Sequence, residues 1–303
     1  MPLFRYFLLA LIISIPSQAD SGPCIGVVMA GGGLGFWQDV EKGAYQAAKE
    51  LGIEVYVRGA VNEQNVKAQR SLIGAVKKRG CGALVLAPNS PERKKDVQSL
   101  RQSGIPTVYI DRDMGGEAVS IIKTDNFLAG KLAAQKMIEA LNGHGKVVVL
   151  RQGSNVASTK AREEGFIQSA KSGGLEILFE TYIGSTVGEA RIGAQKVLAQ
   201  IDEIDGIFTP NESTTIGTVA SLKTLKIAGK AIHIGFDSSK LIVDAINSRQ
   251  LYGVVVQQPV VIGYKGVHMA YRAMHGKPVE STVNTEVVFV TKQNLEQWQA
   301  DAK

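Results

Sequence analysis

At 303 residues, 45% of them hydrophobic and 20% charged, the chain has the makeup of an ordinary globular protein large enough for two modest domains. Its formal net charge of +6 comes from lysines and arginines spread along the sequence; the densest cluster, Arg93-Lys94-Lys95, falls on a predicted amphipathic helix and reads as a solvated face. Aromatic residues amount to 6% and no basic segment is interleaved with them, so no nucleic-acid partner is expected.

The N-terminus has the pattern of a secretory signal peptide. Arg5 supplies a positive start, Phe7 to Ile15 an apolar core, and Pro16-Ser17-Gln18-Ala19 a small-x-small cleavage site. The apolar run is too short to span a membrane, and no later segment approaches ~18–20 continuous apolar residues. Residues 1–19 are therefore read as a cleaved leader, with an exported mature protein starting near Asp20. Cys24 and Cys81 each immediately precede a predicted strand. Neighbouring parallel strands are ~4.8 Å apart, which would bring both thiols within disulfide reach in an oxidising compartment. A lipid on Cys24 is the rival reading; against it, Asp20-Ser21-Gly22-Pro23 separates the cysteine from the apolar core.

From there strand-like and helix-like runs alternate almost without interruption. Strands are predicted at 25–30, 54–57, 83–87, 107–110 and 119–123, with helices at about 36–51, 64–79, 91–103 and 126–141. Glycines such as Gly52, Gly80 and Gly104 close the helices as left-handed caps. After Asn142-Gly143-His144-Gly145 the pattern begins afresh: strands at 146–150, 176–182, 207–209, 231–236 and 253–257, helices at about 159–171, 188–200, 214–225, 240–248 and 259–274, and a last strand at 287–290. Such alternation means right-handed βαβ units, and the restart means two doubly wound parallel-sheet α/β lobes in place of one very wide sheet. With crossovers near Thr124-Asp125, Gln257-Gln258 and Thr285-Glu286, the N-terminal lobe comprises residues 20–124 plus 258–285 and the C-terminal lobe 125–257 plus 286–303. Three crossing segments would form a hinge that opens and closes a cleft.

Enzymatic signatures are missing. Ala30-Gly31-Gly32-Gly33-Leu34-Gly35 invites a dinucleotide reading but has Phe36 and Gln38 where the last glycine should stand, and Arg58-Gly59 where an acidic ribose partner should. No P-loop and no Gly-x-Ser-x-Gly occurs, and His144, His233, His268 and His275 lack metal-ligand spacing; His233 reads as a core residue. Neither catalysis, a cofactor nor a metal is expected. What remains is a set of polar side chains placed just beyond the carboxyl ends of buried strands, where open parallel sheets bind ligands. Ile110-Asp111-Arg112, Thr209-Pro210-Asn211, Phe236-Asp237 and Val256-Gln257 all share that position, and Phe36-Trp37 offers flat apolar faces at the first strand's end. Each has a plainer alternative. One ring of the aromatic pair could be core, Asp111-Arg112 an isolated turn pair, Arg162 a surface partner of Glu163 or Glu164, Asn211 and Asp237 helix caps, and Gln257 a hinge residue.

These segments, together with Thr124-Asp125-Asn126, Ala161-Arg162-Glu163-Glu164-Gly165-Phe166 and Gln257-Gln258-Pro259, resemble the ribose-binding-protein type of periplasmic binding protein type I, the fold shared with the ligand-sensing part of LacI-type repressors. The resemblance runs through the whole mature chain in order. It implies that Phe36 and Trp37 stack on a ligand and that Asp111, Arg112, Arg162, Asn211, Asp237 and Gln257 form a fan of hydrogen bonds to hydroxyls. Two acids and two bases balance, which suits a neutral monosaccharide or polyol. Leu34 stands where the pattern often has asparagine, and Ser185 lies within a Gly-Ser-Thr run where an aromatic wall is expected, so ligand identity stays open. The implied partner is the membrane permease of an ABC importer, or alternatively a membrane sensor such as a histidine kinase or chemoreceptor, served by a monomer.

Overall fold

A computed structural model describes residues 24–301 apart from Leu34 and Asp202. The leader expected at residues 1–19 and the position of Leu34 lie outside the described residues. Among those described, no helix is long and apolar enough to cross a membrane.

The first set of elements runs β1 (Cys24–Met29), α1 (Gly35–Leu51), β2 (Glu54–Gly59), α2 (Val66–Lys78), β3 (Ala83–Leu86), α3 (Arg93–Gln102), β4 (Thr107–Ile110), β5 (Ser120–Thr124) and α4 (Asn126–Ala140). The second runs β6 (Gly145–Arg151), α5 (Ala157–Ser172), β7 (Leu175–Tyr182), α6 (Val187–Leu198), β8 (Gly206–Phe208), α7 (Glu212–Thr224), β9 (Ile232–Phe236), α8 (Lys240–Asn247), β10 (Gly253–Val256), α9 (Pro259–Met274), β11 (Thr282–Thr285), β12 (Val288–Thr291) and α10 (Leu295–Asp301).

Two six-stranded sheets result, ordered β11-β5-β4-β3-β1-β2 and β12-β10-β9-β8-β6-β7, and each strand of one has a counterpart in the other. Every described pairing is parallel except β10 with β12. The central strands are largely apolar because helices cover both faces: β3, β4 and β10 are buried at every position. Two features go beyond the sequence reading. β11 alternates buried and exposed residues over a Thr-Val-Asn-Thr edge with little apolar signal, and α10 is a short terminal helix.

Glycines fix how closely the helices sit. A β-carbon on Gly43 would lie 1.9 Å from the Val260 carbonyl oxygen, and one on Gly263 2.0 Å from that of Val40, so α1 and α9 meet backbone to backbone. The second lobe repeats the device between α4 and α5: Gly130 faces the Arg162 carbonyl oxygen at 2.0 Å and Gly165 that of Phe127 at 2.2 Å on the same construction. That contact sets where Arg162 emerges. Beneath it, Phe166 stacks on Phe208 with ring centroids 4.0 Å apart, and Phe208 meets Phe236 edge-on.

The chain passes between the sheets three times. β5 lies in the first sheet while α4, which follows it, packs on α5. β10 lies in the second while α9 packs on α1, and β11 and β12 belong to different sheets. The buried hydroxyls of Thr124 and Thr285, 3.2 Å apart, tie two of these passages together.

As the sequence reading expected, β1 and β3 are parallel neighbours, and Cys24 and Cys81 at their starts are joined as a disulfide with Cα atoms 4.4 Å apart.

Candidate functional site

The carboxyl ends of the two sheets face one another across a cleft, and the residues there enclose about 360 Å³ of non-atom space, part of it continuous with solvent. Phe36, Trp37, Asp111 and Arg112 line it from the first lobe, and Arg162, Asn211, Asp237 and Gln257 from the second. All eight expected positions thus meet around one cavity. Glu63, Gln152, Ser158, Thr159 and Glu212 join them.

Asp111 and Asp237 follow β4 and β9, which are counterparts in the two sheets. Each adopts the left-handed region, with φ of 66° and 67°, while its backbone N–H still donates to the neighbouring strand, to Ile122 and Val255 respectively, at 2.9 Å. The turn in the backbone swings each carboxylate off the strand line and into the cleft. Asparagine and aspartate tolerate this conformation better than other β-carbon-bearing residues.

Arg112 donates through Nε to Asp111 at 2.7 Å and through Nη2 to Glu63 at 3.1 Å. Burial opposes its charge, but Glu63 and Asp111 outweigh burial and hold its pKa above the ordinary guanidinium value. Glu63 also accepts from the Trp37 indole N–H at 3.0 Å, which fixes the ring's orientation. Phe36 and Trp37 sit edge to face, centroids 4.9 Å apart, and both are core residues as well as cavity lining.

Arg162 is not a surface ion-pair partner. It is 2% exposed, donates to Asn126 Oδ1 at 2.8 Å and to the Pro210 carbonyl at 2.9 Å, and lies 4.6 Å from the Phe236 ring centroid. Glu163, its sequence neighbour, pairs instead with Arg151 at 2.6 Å. Burial lowers the pKa of Arg162, opposed by the charge of Asp237. Burial likewise raises that of Asp237, opposed by Arg162. Asp237 accepts from Gln257 Nε2 at 2.6 Å and from the Glu212 backbone N–H at 3.0 Å. It therefore caps α7, which precedes it, and not the helix that follows.

Asn211 has the local role that the sequence left open. Its Oδ1 accepts from the Thr214 N–H at 3.3 Å and its Nδ2 donates to Ser213 at 3.0 Å, forming the N-cap of α7 at the cavity wall. Ser185 donates through its N–H and its hydroxyl to Glu189, the capping-box partner of Thr186, and lines an adjoining depression together with Trp37 and Glu63.

The charge balance differs from expectation. With Glu63 and Glu212 the lining holds four carboxylates against two guanidiniums. Glu63 lies in the β2–α2 loop, beyond any strand end, and carries no sequence signal. Glu212 reads in sequence as an ordinary first-turn acid of α7. Gln152, directly after β6, obeys the strand-end rule that located Asp111 and was within its reach. The Oε1 atoms of Gln152 and Gln257 are buried without a partner among the described residues, an arrangement that offers two acceptors to donors entering the cleft.

Comparison with known proteins follows the same line. Residues 25–278 match the family described as periplasmic binding protein domain. The ribose import binding protein RbsB of Escherichia coli is 26% identical over 94% of this chain and 96% of its own length. An ABC transporter solute-binding protein from Agrobacterium vitis, solved with bound D-fucose, is 30% identical, with a TM-score of 0.86 over 92% of this chain and 98% of that one. The XylFII–LytSN complex contains a chain 26% identical, with a TM-score of 0.83 over 90% of this chain and 99% of that one.

Proposed function

We propose, from the premise that this chain belongs to the periplasmic binding protein family, that it is an exported solute-binding protein which captures a small neutral sugar or polyol by closure of its two lobes and delivers it to an ABC importer. The observation that carries the reading is the convergence of hydrogen-bonding side chains from the carboxyl ends of both sheets, beside two aromatic rings, on one cavity. The chemistry suits hydroxyls. Carboxylates such as Asp111 and Asp237 accept from them, the Arg112 and Arg162 forks donate, and the free Gln152 and Gln257 oxygens accept two more. Phe36 and Trp37 offer apolar faces to the C–H surface of a sugar ring.

Mechanism follows from the two-sided lining. A sugar held by Asp111 and Arg112 presents its remaining hydroxyls to Arg162, Asp237 and Gln257. It thus binds the closed arrangement more tightly than the open one and shifts the population toward it. The hinge is made by the three passages between the sheets, and the closed form is what the membrane permease would engage. The sugar leaves chemically unchanged. The ligand-binding roles of Phe36, Trp37, Asp111, Arg112, Arg162, Asn211, Asp237 and Gln257 are part of this proposal, supported by their shared cavity and by the sugar-binding relatives.

A thermal-shift screen of the purified protein against aldoses, ketoses and polyols tests the reading, since a ligand that binds the folded state raises the melting temperature by mass action. At least one sugar should raise it in a saturable way and be recovered unaltered; no response across the panel would refute the proposal. A second reading, presentation of the bound sugar to a membrane sensor, is favoured by the likeness to the XylFII–LytSN complex. Co-purification with the permease or with a sensor from membranes separates the two.

A further inference from the structure

Across the cleft from the second lobe, the Glu212 carboxylate reaches the first turn of α1. Its Oε1 accepts from the Gly35 N–H at 3.2 Å and its Oε2 from the Phe36 N–H at 3.1 Å. The first turn of α1 contains no acidic residue of its own. A helix start exposes unpaired N–H groups and partial positive charge, and here a carboxylate 176 and 177 residues distant supplies the cap. Gly35 makes room for the approach: a β-carbon there would lie 3.2 Å from the Ser238 carbonyl oxygen and 3.3 Å from Glu212 Oε1. The same carboxylate lines the sugar cavity on one side and an outer groove on the other, so it stands in the wall that closure completes.

We propose that Glu212 is a positioning residue for capture: by capping α1 only when the lobes come together, it stabilises the closed form through a contact the ligand does not make, and so sets how tightly sugar is held. The inference deepens the sugar-capture reading and rests on it for the affinity measurement alone. When the lobes part, Gly35 and Phe36 must find water and the carboxylate returns to solvent, so the contact exists in one state and not the other. Asp237 accepts from the backbone N–H of Glu212 itself, which couples the strut to the ligand-facing network.

The groups around the carboxylate act on its charge. Burial drives the Glu212 pKa up to about 7, against the Phe36 N–H; Asp237 adds to the rise, while the Gly35 N–H and the Ser239 hydroxyl resist it. Asp39, from α1, and Lys240, from the start of α8, line the outer groove beside it.

Small-angle scattering of the sugar-free protein and titration calorimetry with the sugar selected by the thermal screen test this on wild type, Glu212→Ala and Glu212→Gln. In the absence of sugar, Glu212→Ala should scatter as a more extended particle than wild type, and its sugar affinity should fall by about tenfold or more. Glu212→Gln, which keeps the length and one acceptor, should recover part of both. Scattering and affinity equal to wild type in both variants would overturn the proposal. If no sugar binds even the wild type, the capture reading fails, while the sugar-free scattering still decides whether Glu212 holds the lobes together.

Discussion

Asp111 and Asp237 are structural counterparts: each follows the equivalent strand of its own sheet, and each turns into the left-handed region with φ of 66° and 67°. One repeated backbone device thus aims a carboxylate into the cleft from either side. Charge and conformation can be separated by substitution. Asp237→Ala should lose ~1 kcal/mol of stability, because alanine is strained at this φ, and also ~2–3 kcal/mol of sugar affinity, because Gln257 and the Glu212 N–H lose their acceptor and Arg162 loses the charge beside it. Asp237→Asn, which tolerates the left-handed region, should keep the melting temperature and lose affinity alone. Thermal unfolding and calorimetry on the two variants check this; equal melting temperatures in both would show that the turn carries no strain.

Arg162 is placed by the close packing of α4 on α5, where Gly130 and Gly165 admit no side chain, and it spans from Asn126 to the Pro210 carbonyl. Arg162→Ala should weaken sugar binding by ~2–3 kcal/mol, about 30- to 150-fold, since buried partners are left unpaired. Arg162→Lys should rescue little, because a point charge cannot reproduce the fork. Calorimetric affinities within twofold of wild type would remove Arg162 from the pocket.

Much of this arrangement is legible in the sequence because a buried strand announces both its own length and the residue that follows it. Ile110-Asp111, Phe236-Asp237 and Val256-Gln257 are located by that rule alone. The rule is blind to side chains held by loops, so Glu63, which fixes Trp37 and Arg112 together, escapes it. Nor does it register partners from a different lobe. Glu212 looks like a helix-start acid serving its own helix, whereas its carboxylate serves a helix in the other half of the molecule. β11 is missed for a simpler reason: as a half-exposed edge strand rich in threonine it lacks the apolar run that marks its neighbours.

The Cys24–Cys81 disulfide closes a loop 57 residues long between the starts of adjacent strands. A loop of that length implies up to ~4 kcal/mol of stabilisation through restriction of the unfolded chain. Replacing both cysteines by serine should lower the unfolding free energy in urea by ~2–4 kcal/mol while leaving sugar affinity unchanged, as the bridge lies at the opposite end of its strands from the cleft. Two alkylatable thiols in the unreduced, denatured protein would contradict the pairing.

His233 is fully buried, its Nε2 against the Thr209 hydroxyl at 2.9 Å, and burial lowers its pKa to about 3. The unfolded chain, with an ordinary imidazole near 6.5, binds the extra proton first, so stability is present above pH ~6.5 and is lost as pH falls toward 3, by up to ~1.4 kcal/mol per pH unit. Glu212, raised to about 7, acts in the opposite sense over part of this range. The informative quantity is therefore a difference: His233→Gln should lose less stability than wild type between pH 6.5 and 4.5. Parallel urea midpoints across that range would refute the assignment.

The most direct measurement is a crystal structure of the protein grown with the sugar that the thermal screen selects. The account predicts one sugar in the cleft, beside Phe36 and Trp37, hydrogen-bonded at once to Asp111 or Arg112 of the first lobe and to Arg162 or Asp237 of the second. A sugar bound on one lobe alone, or anywhere outside this cavity, would contradict it.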